Sequence, residues 1–528
     1  MNHANVIEKA NQHPADIKTL NINLKRVLLT LTAAYMVALL GGIWIGSSLY
    51  FNHLTLSLLL CLALALFVSL KKAASNVFPV ISATLIYFLV YMFPRSLEYI
   101  YLPGHIVFPF IKSIDVWLIN KGLIYLVVGM VLLLAGIHLA GFLFKNRSKP
   151  LLVASNYRKD AFTHVLPLSI AFVLSFLAMI IANSLSGISV IGTREESKYH
   201  ILVQVSLLLF SIDTSLTCVV ATAVAAWRSF KIQHFICVGL VLAAYVLITS
   251  YFGSRAGGLR IFFAAIMAFI LVHRNESFVL SYKMALTSLA ACIFIACLSL
   301  FGFKLATAYR NELVVESSQK RALPEAQNIR QQMHDETLKL NSLTYLCSSI
   351  LNRLGVFDFA ILTSALNRSG LPPSIYGTIA YNAKSIANSI PGTPFPEADI
   401  NTSQVHDIVY SGRKVEEVRL GGYCSRYWTI WGLGTLFTAT WWGYSILMIA
   451  MGFALQLLYS LIEISSSKYS LYFKTIYLTV FMNIVYFTMG LDHSFITLIG
   501  YFTQLLIIIA FLEIAKNFIP LTKKKVIP

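Results

Sequence analysis

Phe252-Gly-Ser-Arg-Ala-Gly-Gly-Leu-Arg260 lies between two apolar runs, 236–251 and 261–272, and its reading decides the fold. A short polar stretch between two runs of that length caps a membrane hairpin. Ser254 is an N-cap residue for the helix that follows. Gly257 and Gly258 leave the first turn of that helix without side chains, so a ligand can approach the backbone. A helix N-terminus offers free N–H groups and partial positive charge. Arg255 adds a planar, permanently charged fork. Together these features make a phosphate seat at a membrane surface. The plainer alternative is a tight turn with an interfacial arginine.

The rest of the chain agrees with a membrane hairpin. It has 528 residues, of which 57% are hydrophobic and only 12% charged. Mean hydropathy is +0.72. A soluble domain carries about 25% charged residues, so the composition points to a polytopic membrane protein. Apolar spans are expected at 27–50, 54–70, 78–93, 122–144, 165–186, 201–226, 236–251, 260–273, 284–305, 438–461, 471–489 and 495–513. That is an all-α chain of about twelve transmembrane helices. The polar stretch 1–26 is too long for the n-region of a cleavable signal peptide.

Net charge is +18, and it is unevenly placed. Short loops on one side hold Lys25, Arg26, Lys71, Lys72, Lys145, Arg147, Lys149, Arg158, Lys159, Arg228, Lys231, Arg274, Lys283, Lys468, Lys474 and Lys523 to Lys525. The other side's short loops hold Arg95, Lys112, Lys121, Arg194, Lys198, Arg255 and Arg260. The first side is cytoplasmic by the positive-inside rule, with both termini. Basic charge of this kind meets anionic lipid and does not require nucleic acid. The chain then divides into a cytoplasmic tail (1–26), nine spans (27–306), a long outer segment (307–426), three more spans (427–513) and a basic cytoplasmic tail (514–528). Long ordered loops are usually functional.

Several residues on the outer side could carry chemistry. Arg194, Arg255, Arg260, Arg310, Arg353, Arg419 and Arg426 gather there. A diphosphate needs several converging donors, which arginine supplies bidentately. Solvated ion pairs with the many nearby acids are the alternative. His406-Asp407 is an acid/base pair that could take a proton from a hydroxyl. Glu195-Glu196, beside His200, is a second candidate. Asp213 falls mid-span, where a carboxylate is costly; Ser211, Thr214 and Ser215 could satisfy it. His138 is a similar, weaker case. Cys61, Cys218, Cys237, Cys292 and Cys297 read as packing residues, and Cys347 and Cys424 could pair in an oxidising space. No metal-ligand spacing, Walker motif or Rossmann fingerprint occurs, so no metal or cofactor is expected.

The pattern resembles the O-antigen polymerase (Wzy-type) and O-antigen ligase superfamily of bacterial envelopes. The residues that carry the likeness are the turn Gly253-Ser254-Arg255-Ala256-Gly257, Asn352-Arg353-Leu354-Gly355-Val356-Phe357-Asp358, Ile390-Pro391-Gly392-Thr393-Pro394-Phe395-Pro396 and Tyr427-Trp428-Thr429-Ile430-Trp431-Gly432-Leu433-Gly434. Their order and shared side are similar to the polysaccharide repeat-unit polymerase branch. The resemblance implies a GT-C-like fold in the bacterial inner membrane with one long periplasmic helical loop. It implies a polyprenyl-pyrophosphate-linked oligosaccharide as substrate and metal-independent glycosyl transfer on the periplasmic face. By motif match the pyrophosphate would be held by Arg255 and Arg353; Arg260, Arg194, Arg310, Arg419, Ser254 and Gly257 are further candidates from their chemistry and their place on the outer side. His406 with Asp407 would be the base. A polysaccharide chain-length regulator would share the membrane. A ligase of the same superfamily and a lipid-sugar flippase or secondary transporter remain as alternatives.

Overall fold

The computed structural model describes residues 20–45, 51–102, 116–144, 153–185, 212–227, 230–251, 257–274, 278–280, parts of 286–305, 441–464, 469–482 and 491–518. The described residues form a bundle of helices with one small strand pair. It begins with β1 (Leu20–Ile22), α1 (Leu24–Ile45), α2 (His53–Lys72), α3 (Phe78–Tyr91), α4 (Phe93–Tyr101) and α5 (Val116–Leu143). Then come α6 (Val153–Leu185), α7 (Ile212–Ala226), α8 (Ile232–Tyr251), α9 (Gly257–His273) and β2 (Phe278–Leu280). The last described elements are α10 (Trp441–Ile464), α11 (Ser470–Ile476), which runs on as a π-helix (Tyr477–Phe481), and α12 (Leu491–Phe518).

Seven helices among the described residues are long and apolar enough to cross a membrane, and four shorter apolar helices accompany them. Polar groups are buried within the bundle, as at Thr32, Thr84, Gln456 and Thr475, while Trp44, Phe142, Leu240 and Ile446 face outward. Apolar side chains outside and polar groups inside suit a lipid solvent.

Local sequence explains the helix ends. Asn52 caps α2 by accepting from the Thr55 N–H at 2.9 Å. Pro94 follows directly on the expected span 78–93 and sets where its helix ends. It has no N–H, and its ring would meet the Val90 carbonyl, so α3 ends and α4 starts afresh. The apolar segment therefore runs on to Tyr101. The closest helix contact is between α5 and α10. A Cβ on Gly136 would overlap the Ile449 carbonyl oxygen, and one on Gly452 would overlap that of Leu133. Only glycine allows the two backbones this close.

Long-range contacts sort the helix ends into two groups. One group holds Lys25, whose Nζ donates to the Ala73 carbonyl at 3.1 Å, and Asn76, whose Nδ2 donates to the Gly141 carbonyl at 2.8 Å. It also holds the antiparallel pair β1–β2, in register Leu20↔Leu280, and the Arg274–Glu463 contact. The other group holds Asn52, Thr55 and Asn120, the Asp213–Arg260 contact, and Tyr444 donating to the Tyr125 carbonyl at 2.6 Å. Helices α2, α5, α9 and α10 thus all run from the second group to the first. The Lys71-Lys72 end of α2 belongs to the first group.

Three sequence expectations are corrected. Arg95 is not a loop residue: it sits in α4 with its side chain fully buried, 2.5 Å from Glu98. Arg274 and Lys474, expected in solvated loops, have side chains only 8% and 3% exposed. Of the five cysteines described, only Cys218 is buried; Cys61, Cys292 and Cys297 are exposed. The strand pair has no apolar alternation that announces it.

Candidate functional site

Asp213 brings four helices together. It lies in the first turn of α7. Tyr245, near the end of α8, donates its hydroxyl to Asp213 Oδ1 at 2.5 Å. Tyr501, from the first half of α12, donates to Oδ2 at 2.7 Å. Arg260, in the first turn of α9, donates Nη1 to the same Oδ2 and approaches the Tyr245 hydroxyl at 3.4 Å. Just inside the bundle, Thr214 Oγ1 donates to Gln504 Oε1 at 2.5 Å, tying α7 to α12 a second time.

The fold makes this meeting possible. The hairpin of α8 and α9 sets Tyr245 and Arg260 on facing helices at one end of the bundle. Helix α7 packs on α9 and presents its first turn at that same end. A carboxylate within a helix bundle needs a donor on each oxygen. Here three donors come from three other helices. Ser215 meets Ser175 at 3.3 Å, and Thr217 donates to the Asp213 carbonyl at 2.8 Å.

Exposure differs across the ion pair. The Asp213 side chain is 17% exposed and that of Arg260 is 45% exposed. The carboxylate is therefore the anchor and the guanidinium the outward-facing partner. Arg260 commits Nη1 to Asp213 and Tyr245, which leaves other donors of its five-donor fork for a ligand. Asp213, with three donors on its two oxygens, holds Arg260 in place.

Of the sequence candidates, Arg260 belongs to this cluster and Gly257 is the first residue of α9. Ser254, Arg255, Arg194, Arg310, Arg353, Arg419, His406 and Asp407 lie outside the described residues, as do Glu195, Glu196, His200, Arg426, Cys347 and Cys424. His138 Nε2 meets Ser69 Oγ at 2.8 Å between α2 and α5, away from this cluster. Nothing in the sequence singles out Tyr245 and Tyr501. A tyrosine in an apolar run gives no sign of its partner, and these two sit 32 and 288 positions from Asp213.

No protein-family model matches the chain, no curated protein matches it, and no solved structure matches it.

Proposed function

We propose that the chain is a polysaccharide repeat-unit polymerase, a membrane glycosyltransferase that joins polyprenyl-pyrophosphate-linked oligosaccharides at the periplasmic face. The observation that carries this reading is the half-exposed Arg260, held by Asp213 in the first turn of α9, five positions after Arg255 in the sequence. It lies at the helix ends opposite those flanked by Lys25, Lys71 and Lys72. The proposal takes about twelve spans, a GT-C-like arrangement and both termini in the cytoplasm of a bacterium.

In this reading the growing chain on its lipid pyrophosphate is the donor, and a new lipid-linked repeat unit is the acceptor. An acceptor hydroxyl attacks the anomeric carbon, the C–O bond to the pyrophosphate breaks, and the hydroxyl proton passes to His406, supported by Asp407. Arg255, Arg260 and Arg353 meet the negative charge that develops on the leaving pyrophosphate. Arginine donors can supply that neutralisation without a metal. The segment 307–426 would roof the site.

Purified protein in proteoliposomes, given polyprenyl-pyrophosphate-linked repeat units, should build polymer. Arg255→Ala should abolish it. A normal product ladder from Arg255→Ala would overturn the proposed seat. Buried ionisable groups inside the helix bundle, Arg274, Glu463 and Lys474, favour a second reading as a lipid-sugar flippase or secondary transporter. Ion- or substrate-driven flux without polymer would decide for that one.

A further inference from the structure

Two donors share one oxygen at the outer cluster. Asp213 Oδ2 accepts from Arg260 Nη1 and from the Tyr501 hydroxyl at 2.7 Å, so guanidinium and phenol stand side by side. Tyr245 holds the other oxygen, Oδ1, at 2.5 Å. The two phenols differ in access. Tyr245 is fully buried, and its oxygen faces Arg260 Nη1 at 3.4 Å. Tyr501 is only half-buried, and the Arg260 side chain next to it is 45% exposed.

Counting protons shows what the open side offers. A carboxylate paired with arginine has no proton to give, so each phenol spends its single proton on Asp213. What Tyr501 then presents outward is the acceptor side of its oxygen. Arg260 presents donors alone, because a guanidinium has no acceptor. Donors and one neutral acceptor therefore lie next to each other. A bare phosphate answers only the donors. A phosphate ester with a hydroxyl on the neighbouring carbon answers both, and a sugar phosphorylated at its anomeric carbon is such an ester. The cluster also lies in from the helix ends. Tyr245 stands six residues before the end of α8 and Tyr501 ten residues after the start of α12, roughly 9 and 15 Å of helix. Both helices run on past it, and a sugar phosphate carried on a lipid suits that depth.

We propose that Tyr501 is a specificity-determining residue for a sugar carried on a polyprenyl pyrophosphate. Its phenol oxygen accepts the hydroxyl on the carbon next to the anomeric carbon, while Arg260 holds the phosphate joined to that anomeric carbon. The inference rests on the phosphate-holding role of Arg260 proposed above and adds what is recognised beside the phosphate.

Binding to the full chain in phosphatidylcholine nanodiscs is read from the ligand-dependent rise in Tm, which needs no turnover. The probes are undecaprenyl pyrophosphate, the same lipid bearing one glucose, and its 2-deoxyglucose counterpart. The parent chain should bind the glucose form about fivefold or more tighter than the 2-deoxy form. Tyr501→Phe should bind these two equally and still respond to undecaprenyl pyrophosphate. Tyr245→Phe, which removes the buried phenol from the same carboxylate, should keep the preference. A Tyr501→Phe protein that keeps it, or a Tyr245→Phe protein that loses it as fully, would overturn the assignment. A parent chain that responds to undecaprenyl pyrophosphate and ignores the hydroxyl sinks the role of Tyr501 alone. No response to any of the three lipids sinks the phosphate seat itself. A nucleoside-diphosphate glucose separates the sources: no shift supports the lipid-linked sugar, and an equal shift overturns that source.

Discussion

The two ionic clusters of this chain use the same side-chain chemistry and differ in balance and access. At Asp213, one cation meets one anion, two phenols complete the carboxylate, and the guanidinium remains 45% exposed. At Glu463, two cations meet one anion and every member is nearly shut from water. A balanced, half-open pair can lend a donor to a ligand and remain neutral behind it. A closed triad offers no donor to a ligand and ties helix ends to one another.

The sharpest way to break this contrast is to remove each anion. Glu463→Ala leaves two buried cations unpaired and should cost about 3–5 kcal/mol, read as a fall in Tm in phosphatidylcholine nanodiscs. Asp213→Asn should cost less, about 1–2 kcal/mol, because the released Arg260 is already partly solvated. Equal losses at the two sites would erase the distinction. Tyr501→Phe sharpens it further. It removes one of the donors on Asp213 while Tyr245 and Arg260 remain, and should cost about 0.5–1.5 kcal/mol. A larger loss than Asp213→Asn would make Tyr501, and not the ion pair, the chief support of the cluster.

How much of this is legible depends on whether the signal is local. Composition and run length give the helical membrane character, because spanning a bilayer needs long apolar runs. Asp213 stands out because a carboxylate inside such a run is costly. Arg95 and Glu98 sit three apart, a spacing that places them on one helix face, yet a basic residue near the end of an apolar run reads as a loop cation. Arg274 and Lys474 mislead in the same way. Their long stems normally let the charge snorkel to water, whereas here both cations turn inward to Glu463 of α10. The tyrosines of Asp213 are invisible in the sequence, since a phenol in an apolar run packs as readily as it donates. The contact of Gly136 with α10 is equally hidden, because it is set by the partner backbone and not by the glycine's neighbours.

The central claim is that Arg260 works as a fork held by Asp213, beyond its part in an ion pair. Arg260→Lys separates the two. It keeps the positive charge for Asp213 and loses the planar donor array that grips a diphosphate. Polymer formation from lipid-linked repeat units, measured beside Tm, is the most direct test. The account predicts a Tm within a few degrees of the parent chain and a rate lowered roughly tenfold or more. A parent-like rate in Arg260→Lys would contradict it.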